Sequence, residues 1–269
     1  LDIVVDTLKS NGRFKRPTVA ITIDDGRKDN FDVLFPVLKT EKIPAVIYLT
    51  AGLIGTNKRI WADYLSDLFF YTKHKYFQAD DPLTARGYFI GSINAKRIAY
   101  KDVSNQLKDM NIQERNVALR SIEKQFGKIK DNGPVMLNWD QVLMMQEHNI
   151  SFGSHTCTHP ILTKMPLEDA KKEILDSKRI IEHKLGVPVK HFAYPNGRPQ
   201  DFSDDLREYC KEIGFESIST CDFGNNGKAA DVWALKRIVT FLPVSLFAFN
   251  LIRAFREEKH NENTNENMY

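Results

Sequence analysis

Cysteine is scarce in this sequence. Three residues, at positions 157, 210 and 221 of 269, make an odd count and no disulfide framework, which sets aside a stapled secreted fold and favours a reducing compartment. Long apolar runs are missing too. None approaches the roughly 20 residues that cross a bilayer, so no transmembrane segment is expected. Neither sign of charge dominates. Lys and Arg number 38 against 35 Asp and Glu, for a net +3 spread along the chain. A dedicated nucleic-acid binder would concentrate its basic residues, so a nucleic-acid partner is not expected. No internal repeat and no signal peptide are visible. The cytoplasm is slightly favoured, with an extracytoplasmic location open if a segment before Leu1 was removed. Oligomeric state is left open.

What is present is ordinary for a globular protein: 42% hydrophobic and 27% charged residues. The length suits one barrel-like domain, expected over residues 1–256, with a polar, disordered tail over 257–269. Short β-branched runs read as strands at Thr18–Ile23, Ala45–Thr50, Ile150–Ser154, His191–Tyr194, Ser217–Thr220 and Leu235–Thr240. Between them lie helical patterns at Asn30–Thr40, Trp139–His148, Pro166–Leu185 and Asp204–Ile213, the third ended by Gly186 and Pro188. This alternation implies a parallel sheet with helical crossovers, an α/β class. The regularity breaks at about 57–138. There an aromatic helix, Trp61–Tyr71, precedes a polar, less periodic stretch and a helix at Ile112–Phe126. The expectation is that these helices pack on the barrel. The sharper alternative is that they wall a substrate cleft. Phe241–Glu258 has an apolar face expected to close the barrel, with a membrane-surface role as the alternative.

Two short motifs carry chemistry. Thr18–Ile23 runs into Asp24-Asp25-Gly26, adjacent carboxylates at a strand end, where active sites of α/β folds sit. Ile150–Ser154 runs into His155-Thr156-Cys157-Thr158-His159, with imidazoles at i and i+4 that one helical turn would place on one side. One acid, two imidazoles and a spare carboxylate are what a hydrolytic metal site needs. Cys157 reads as a spacer, because His and carboxylate ligands leave an open position for catalysis.

Thr22-Ile23-Asp24-Asp25-Gly26 and His155–Pro160 resemble the first two motifs of the polysaccharide deacetylase family (NodB-homology, carbohydrate esterase family 4). The resemblance runs from about Pro17 to Thr240. It implies a distorted seven-stranded (β/α) barrel with a helical insertion between the second strand and the His motif. It also implies metal ligands at Asp25, His155 and His159, Asp24 as catalytic base, and Zn²⁺ or another divalent metal such as Co²⁺, Ni²⁺ or Mn²⁺. The partner implied is an N-acetylated sugar or polysaccharide whose acetyl group is removed. The alternatives are a metal-dependent O-acyl esterase or a non-catalytic carbohydrate-binding relative.

The remaining motifs depart from the family pattern. Ala193-Tyr194-Pro195-Asn196 stands where the family has Arg-x-Pro-Tyr, so Asp24 needs another orienting partner, with Arg198 and Arg237 as candidates. The Asn196 N–H takes the oxyanion-donor position, and Tyr194, Pro195 and Arg237 are the substrate-contact candidates. Leu235-Lys236-Arg237 stands where the family's general-acid histidine is expected, and arginine is a poor proton donor. Asp231-Val232-Trp233 is nearest to the fourth motif. Proton delivery to the leaving group has no assigned residue. Asp24 returning its proton, or a histidine outside the motifs, would serve.

Overall fold

A computed structural model describes residues 1–12, 14–129, 133, 135–227, 230–239 and 243–254. Its strands, in chain order, are β1 (Ile21–Ile23), β2 (Ala45–Leu49), β3 (Tyr76–Ala79), β4 (Arg86–Phe89), β5 (Ile150–Ser154), β6 (His191–Ala193), β7 (Ser217–Phe223) and β8 (Leu235–Arg237). The helices are α1 (Asp2–Lys9), α2 (Phe35–Glu41), α3 (Trp61–Tyr71), α4 (Ile93–Asp109), α5 (Ile112–Phe126), α6 (Trp139–Gln146), α7 (Leu167–Leu185) and α8 (Asp204–Glu212). A π-helical turn, Asn30–Leu34, leads into α2. A further helix covers 244–254.

β1, β2, β5, β6, β7 and β8 form one sheet in that order, and every neighbouring pair is parallel. Spatial order follows chain order, as repeated strand–helix–strand units rolled toward a barrel produce. The sheet curls until its edges touch: Arg237 on β8 reaches Asp24, just past β1. Across the interior, the Tyr48 and Ser219 hydroxyls lie 2.8 Å apart. All six expected strands are therefore present. The expected barrel of seven is seen as a six-stranded curled sheet among the described residues.

β2 shows how the layers form. Ala45, Ile47 and Leu49 pack outward on the helices, while Val46 and Tyr48 point inward with Ala193. A strand covered on both faces has no polar positions to alternate, so it reads as a continuous apolar run. Gly153 on β5 makes room for the Tyr48 ring, because a Cβ there would lie 2.5 Å from Tyr48 Cδ1. α1 covers the end of the sheet away from Asp24, burying Val5 and Leu8 against Val232 and Leu235. α7 starts after Pro166 and stops at left-handed Gly186, as its flanking residues predict.

The insertion builds a core of its own from α3, the β3–β4 hairpin, α4 and α5, with Leu65, Phe69, Phe77, Val103 and Ile122 among its buried residues. Trp61 packs against both this core and the main one. The hairpin and α4 fall in the stretch that reads as aperiodic. α4 escapes notice because its buried positions include only small or few apolar residues: Ala99, Val103, Ser104 and Leu107. At the other end of the chain, Asn225 donates to the Ala254 carbonyl of helix 244–254, while Val244, Phe249 and Ile252 stay exposed. The remainder of Phe241–Glu258 and the tail at 257–269 lie outside the described residues.

Candidate metal and catalytic site

β1 delivers Asp24-Asp25-Gly26 to the C-terminal end of the sheet, and there the backbone turns through left-handed conformations at Asp25 (φ 79°) and Gly26 (φ 75°). A Cβ on residue 26 would lie 2.8 Å from Leu49 Cδ2, so the turn requires glycine. Asp24 and Asp25 diverge as a result. Asp25 Oδ1 lies 3.6 Å from His155 Nε2 and 3.4 Å from His159 Nε2. The imidazoles do not share a helical turn. Residues 155–159 form a tight loop with left-handed Thr156 (φ 66°) and His159 (φ 61°). Thr156 Oγ1 accepts from the His159 N–H, and Glu173 on α7 accepts from the Cys157 and Thr158 N–H groups. Non-glycine residues in this region cost energy, and the surrounding hydrogen bonds hold them there.

Each ligand candidate is oriented from behind. His155 Nδ1 donates to the Ala193 carbonyl at 2.7 Å, which puts the proton on Nδ1 and leaves the Nε2 lone pair facing Asp25. Burial, reinforced by nearby His159, pushes the His155 pKa down, keeping the ring neutral as a ligand must be. Asp25 Oδ2 pairs with Arg27 at 3.0 Å, and Arg27 pairs with Asp63 on α3 at 2.8 Å. Burial opposes ionisation of Asp25, but His159, His155 and Arg27 outweigh it and hold the carboxyl well below its ordinary range. The three donor atoms lie within 4.8 Å of one another. Ligands about 2.0–2.1 Å from a tetrahedral ion stand roughly 3.3–3.4 Å apart, so the Asp25–His159 spacing suits a shared divalent cation. Cys157 does not belong to this cluster, and burial raises its thiol to about 12.

Asp24 has the partner that Ala193 cannot supply. Arg237 Nη1 and Nη2 donate to its two carboxylate oxygens at 2.7 and 2.9 Å, and Arg237 Nε donates to the Thr220 carbonyl. This fork–fork geometry fixes the carboxylate plane as a lysine could not. Burial works against the Asp24 charge, yet Arg237 and His155 bring its pKa below the ordinary value. Arg237 thus takes the place of Asp24's partner, one of the two roles expected of it, with its fork engaged on that carboxylate. Arg198, the other candidate, forks onto Asp201. Left-handed Asn196 (φ 62°) lines the site, its side chain also tied to Asp201. Among the described residues no group accepts from its backbone N–H.

Tyr194 lies elsewhere than expected. Its buried ring stacks on Phe202 with centroids 4.6 Å apart, and neither it nor Pro195 lines the cleft. Strand alternation explains this: Ala193 faces the sheet interior, so Tyr194 faces the helices. Asp231 accepts from the Trp233 N–H and from Arg207, and Val232 packs on α1, so this segment is structural.

The cleft above these groups measures about 270 Å³. Asp24, Asp25, His155, His159, Asn196 and Cys221 line it from the sheet side. Trp61 and Ala62 of α3 and Tyr100, Ser104 and Lys108 of α4 complete its wall. The insertion therefore has a core of its own and also lines one wall of this cleft. A separate cavity of about 320 Å³, between α3 and the end of α5, contains none of these groups. Arg27, Asp63, Tyr100, Ser104 and Lys108 went unnoticed in the sequence. Only Arg27, two residues past Asp25, carried a local hint.

Residues 11–218 match the polysaccharide deacetylase family. Over 102 residues the chain is 24% identical to the Bacillus subtilis (strain 168) protein named "Putative polysaccharide deacetylase YxkH", a stretch covering 38% of this chain and 36% of that protein. The Streptococcus pyogenes deacetylase PplD, solved in complex with acetate, is similar in fold, with TM-score 0.58 at 18% identity over 94% of this chain and 76% of that one. IcaB from Ammonifex degensii is similar too, with TM-score 0.53 at 18% identity, covering 92% and 86% of the two chains. With its motif carboxylates and imidazoles gathered at one end of a curled parallel sheet, this chain belongs to the polysaccharide deacetylase family.

Proposed function

We propose that the protein is a divalent-metal-dependent hydrolase that removes N-acetyl groups from an N-acetylated sugar or polysaccharide. The observation that carries this reading is the division of labour between adjacent carboxylates: Asp25 faces two imidazoles, while Asp24 is held by Arg237. Asp25, His155 and His159 would hold the metal, with Zn²⁺, Co²⁺, Ni²⁺ or Mn²⁺ all compatible with an N/O donor set. Such an ion, when bound, supplies Lewis acidity toward water and a carbonyl oxygen.

The chain's own residues do the rest. Asp24 is ionised at neutral pH and accepts a proton from the attacking water. Arg237 keeps its carboxylate in one plane through that transfer. The Asn196 N–H donates to the oxyanion that forms at the acetyl carbon. Trp61 and Tyr100 offer aromatic surface to a sugar ring at the cleft wall. A purely carbohydrate-binding relative would have no use for an ionised base fixed by a two-pronged arginine, which weighs against that alternative.

The test is acetate release from a panel of N-acetylated glycans and O-acetylated esters, with metal stripped and then restored as Zn²⁺. Asp24→Asn should bind the metal as the wild type does and lose about 10²–10⁴ in turnover. Full activity in that variant would refute the base. Release from esters alone would make the protein an O-acyl esterase.

A further inference from the structure

Apart from Asp24 returning the proton it takes from water, the residues named so far offer the leaving nitrogen no donor. Arg237 occupies the position of the family's acid histidine and is locked on Asp24. No other histidine takes its place: among the described residues, His155 and His159 are the only imidazoles lining the cleft, and both are ligand candidates. His191 lies on Asp2 at the far end of the sheet, and His148 donates to the Met144 carbonyl on α6.

We infer that Lys108, on the insertion helix α4, is the general acid that protonates the departing amine. It lines the same cleft as Asp24 and Asn196, and no carboxylate lies within 4.0 Å of its ammonium among the described residues. An ammonium kept in a catalytic cleft without an ion-pair partner is free to give up a proton. Its surroundings favour that. Burial lowers its pKa, and Arg198 on the neighbouring loop lowers it further, against the opposing pull of Asp201, Cys221 and Asp109. The competing donor in the wall, the Tyr100 hydroxyl, is pushed the other way by burial. A donor is most effective when its pKa approaches the working pH, which selects the lysine.

The step balances. Water loses a proton to Asp24 as its oxygen bonds the acetyl carbon. The C–N bond then breaks, its electron pair stays on nitrogen, and that nitrogen takes a proton from Lys108 Nζ. Acetic acid and the free amine leave. Protonated Asp24 then returns its proton to neutral Lys108 through solvent.

This inference rests on the deacetylase reading, and two substrates separate the two. An N-acetylglucosamine oligomer has a basic leaving nitrogen that must be protonated; 4-nitrophenyl acetate has a leaving group that departs as an anion. Lys108→Met should lower glycan turnover by about 10²–10⁴ and lower aryl-acetate turnover at least tenfold less. The alkaline limb of the wild-type glycan pH profile should disappear. Lys108→Arg keeps the charge but cannot release a proton at these pH values, so it should not rescue the glycan reaction. Rescue by arginine, or an equal loss on both substrates, would overturn the proton donor and leave Asp24 untouched. Aryl-acetate hydrolysis that survives Asp24→Asn would instead overturn the deacetylase reading, and the donor with it.

Discussion

Arg237 carries two expected roles, and its geometry distinguishes between them. Read along the chain, it is a histidine position lost, a candidate partner for Asp24 and a substrate-contact candidate. In space it replaces the arginine that Ala193 lacks, reaching Asp24 from the last strand instead of the sixth. Arg237→Lys should keep a positive charge and lose the fork. Turnover should then fall about 10- to 100-fold, as for other groups that orient reacting residues. Removing the fork also weakens what holds the Asp24 pKa down against burial, so the acid limb of kcat/KM should move to higher pH. Steady-state kinetics across pH decide the matter: a raised KM with kcat intact would restore Arg237 to substrate binding. The candidate metal ligands were legible at this scale because each lies in a motif a few residues long. Tyr194 was not, since a one-residue step along a strand reverses the face it occupies.

Among the elements, the insertion couples structure to chemistry. α3 contributes Trp61 to the cleft and also Asp63, which steadies Arg27 and through it Asp25. Deleting the insertion would therefore disturb the candidate metal site, and a point change is the cleaner probe. Trp61→Leu keeps apolar packing and removes the ring face. Glycan KM should rise about tenfold, or ~1.4 kcal/mol, with metal content unchanged. A fall in thermal stability with KM unmoved would assign Trp61 to packing alone, consistent with its stack under Arg115 at 4.7 Å. Element positions were mostly legible. α3 and α5 match their expected spans, and α5 and α6 begin at capping boxes on Asn111 and Asn138. α4 was not, because a helix packed through small residues leaves little hydrophobic period to read.

For the molecule as a whole, α1 ties the chain's first residues to the base of the sheet. His191 on β6 shares a hydrogen bond with Ser217 at 2.8 Å and meets Asp2 of α1 at 3.3 Å. Burial lowers its folded pKa below the ordinary 6.5 in spite of Asp2. The unfolded chain therefore binds that proton more readily. The stability this neutral ring contributes is present above about pH 6.5 and is lost as pH falls through the folded value. His191→Asn should flatten the decline of Tm between pH 7 and 5 relative to wild type. An unchanged slope in differential scanning calorimetry would mean that His191 is not the group responsible.

The sequence alone determined the α/β class, the six strands and the Asp25–His155–His159 set, because strand periodicity and short motifs are local properties. Which groups face those motifs across the cleft was decided only in three dimensions. Arg237 meets Asp24 because the sheet curls, bringing residues 213 positions apart into a two-pronged contact. Lys108 and Trp61 reach the site because the insertion folds on a core of its own and sets one edge over the strand ends. Curl and docking come from side chains packed over long separations, and no window along the chain contains both partners.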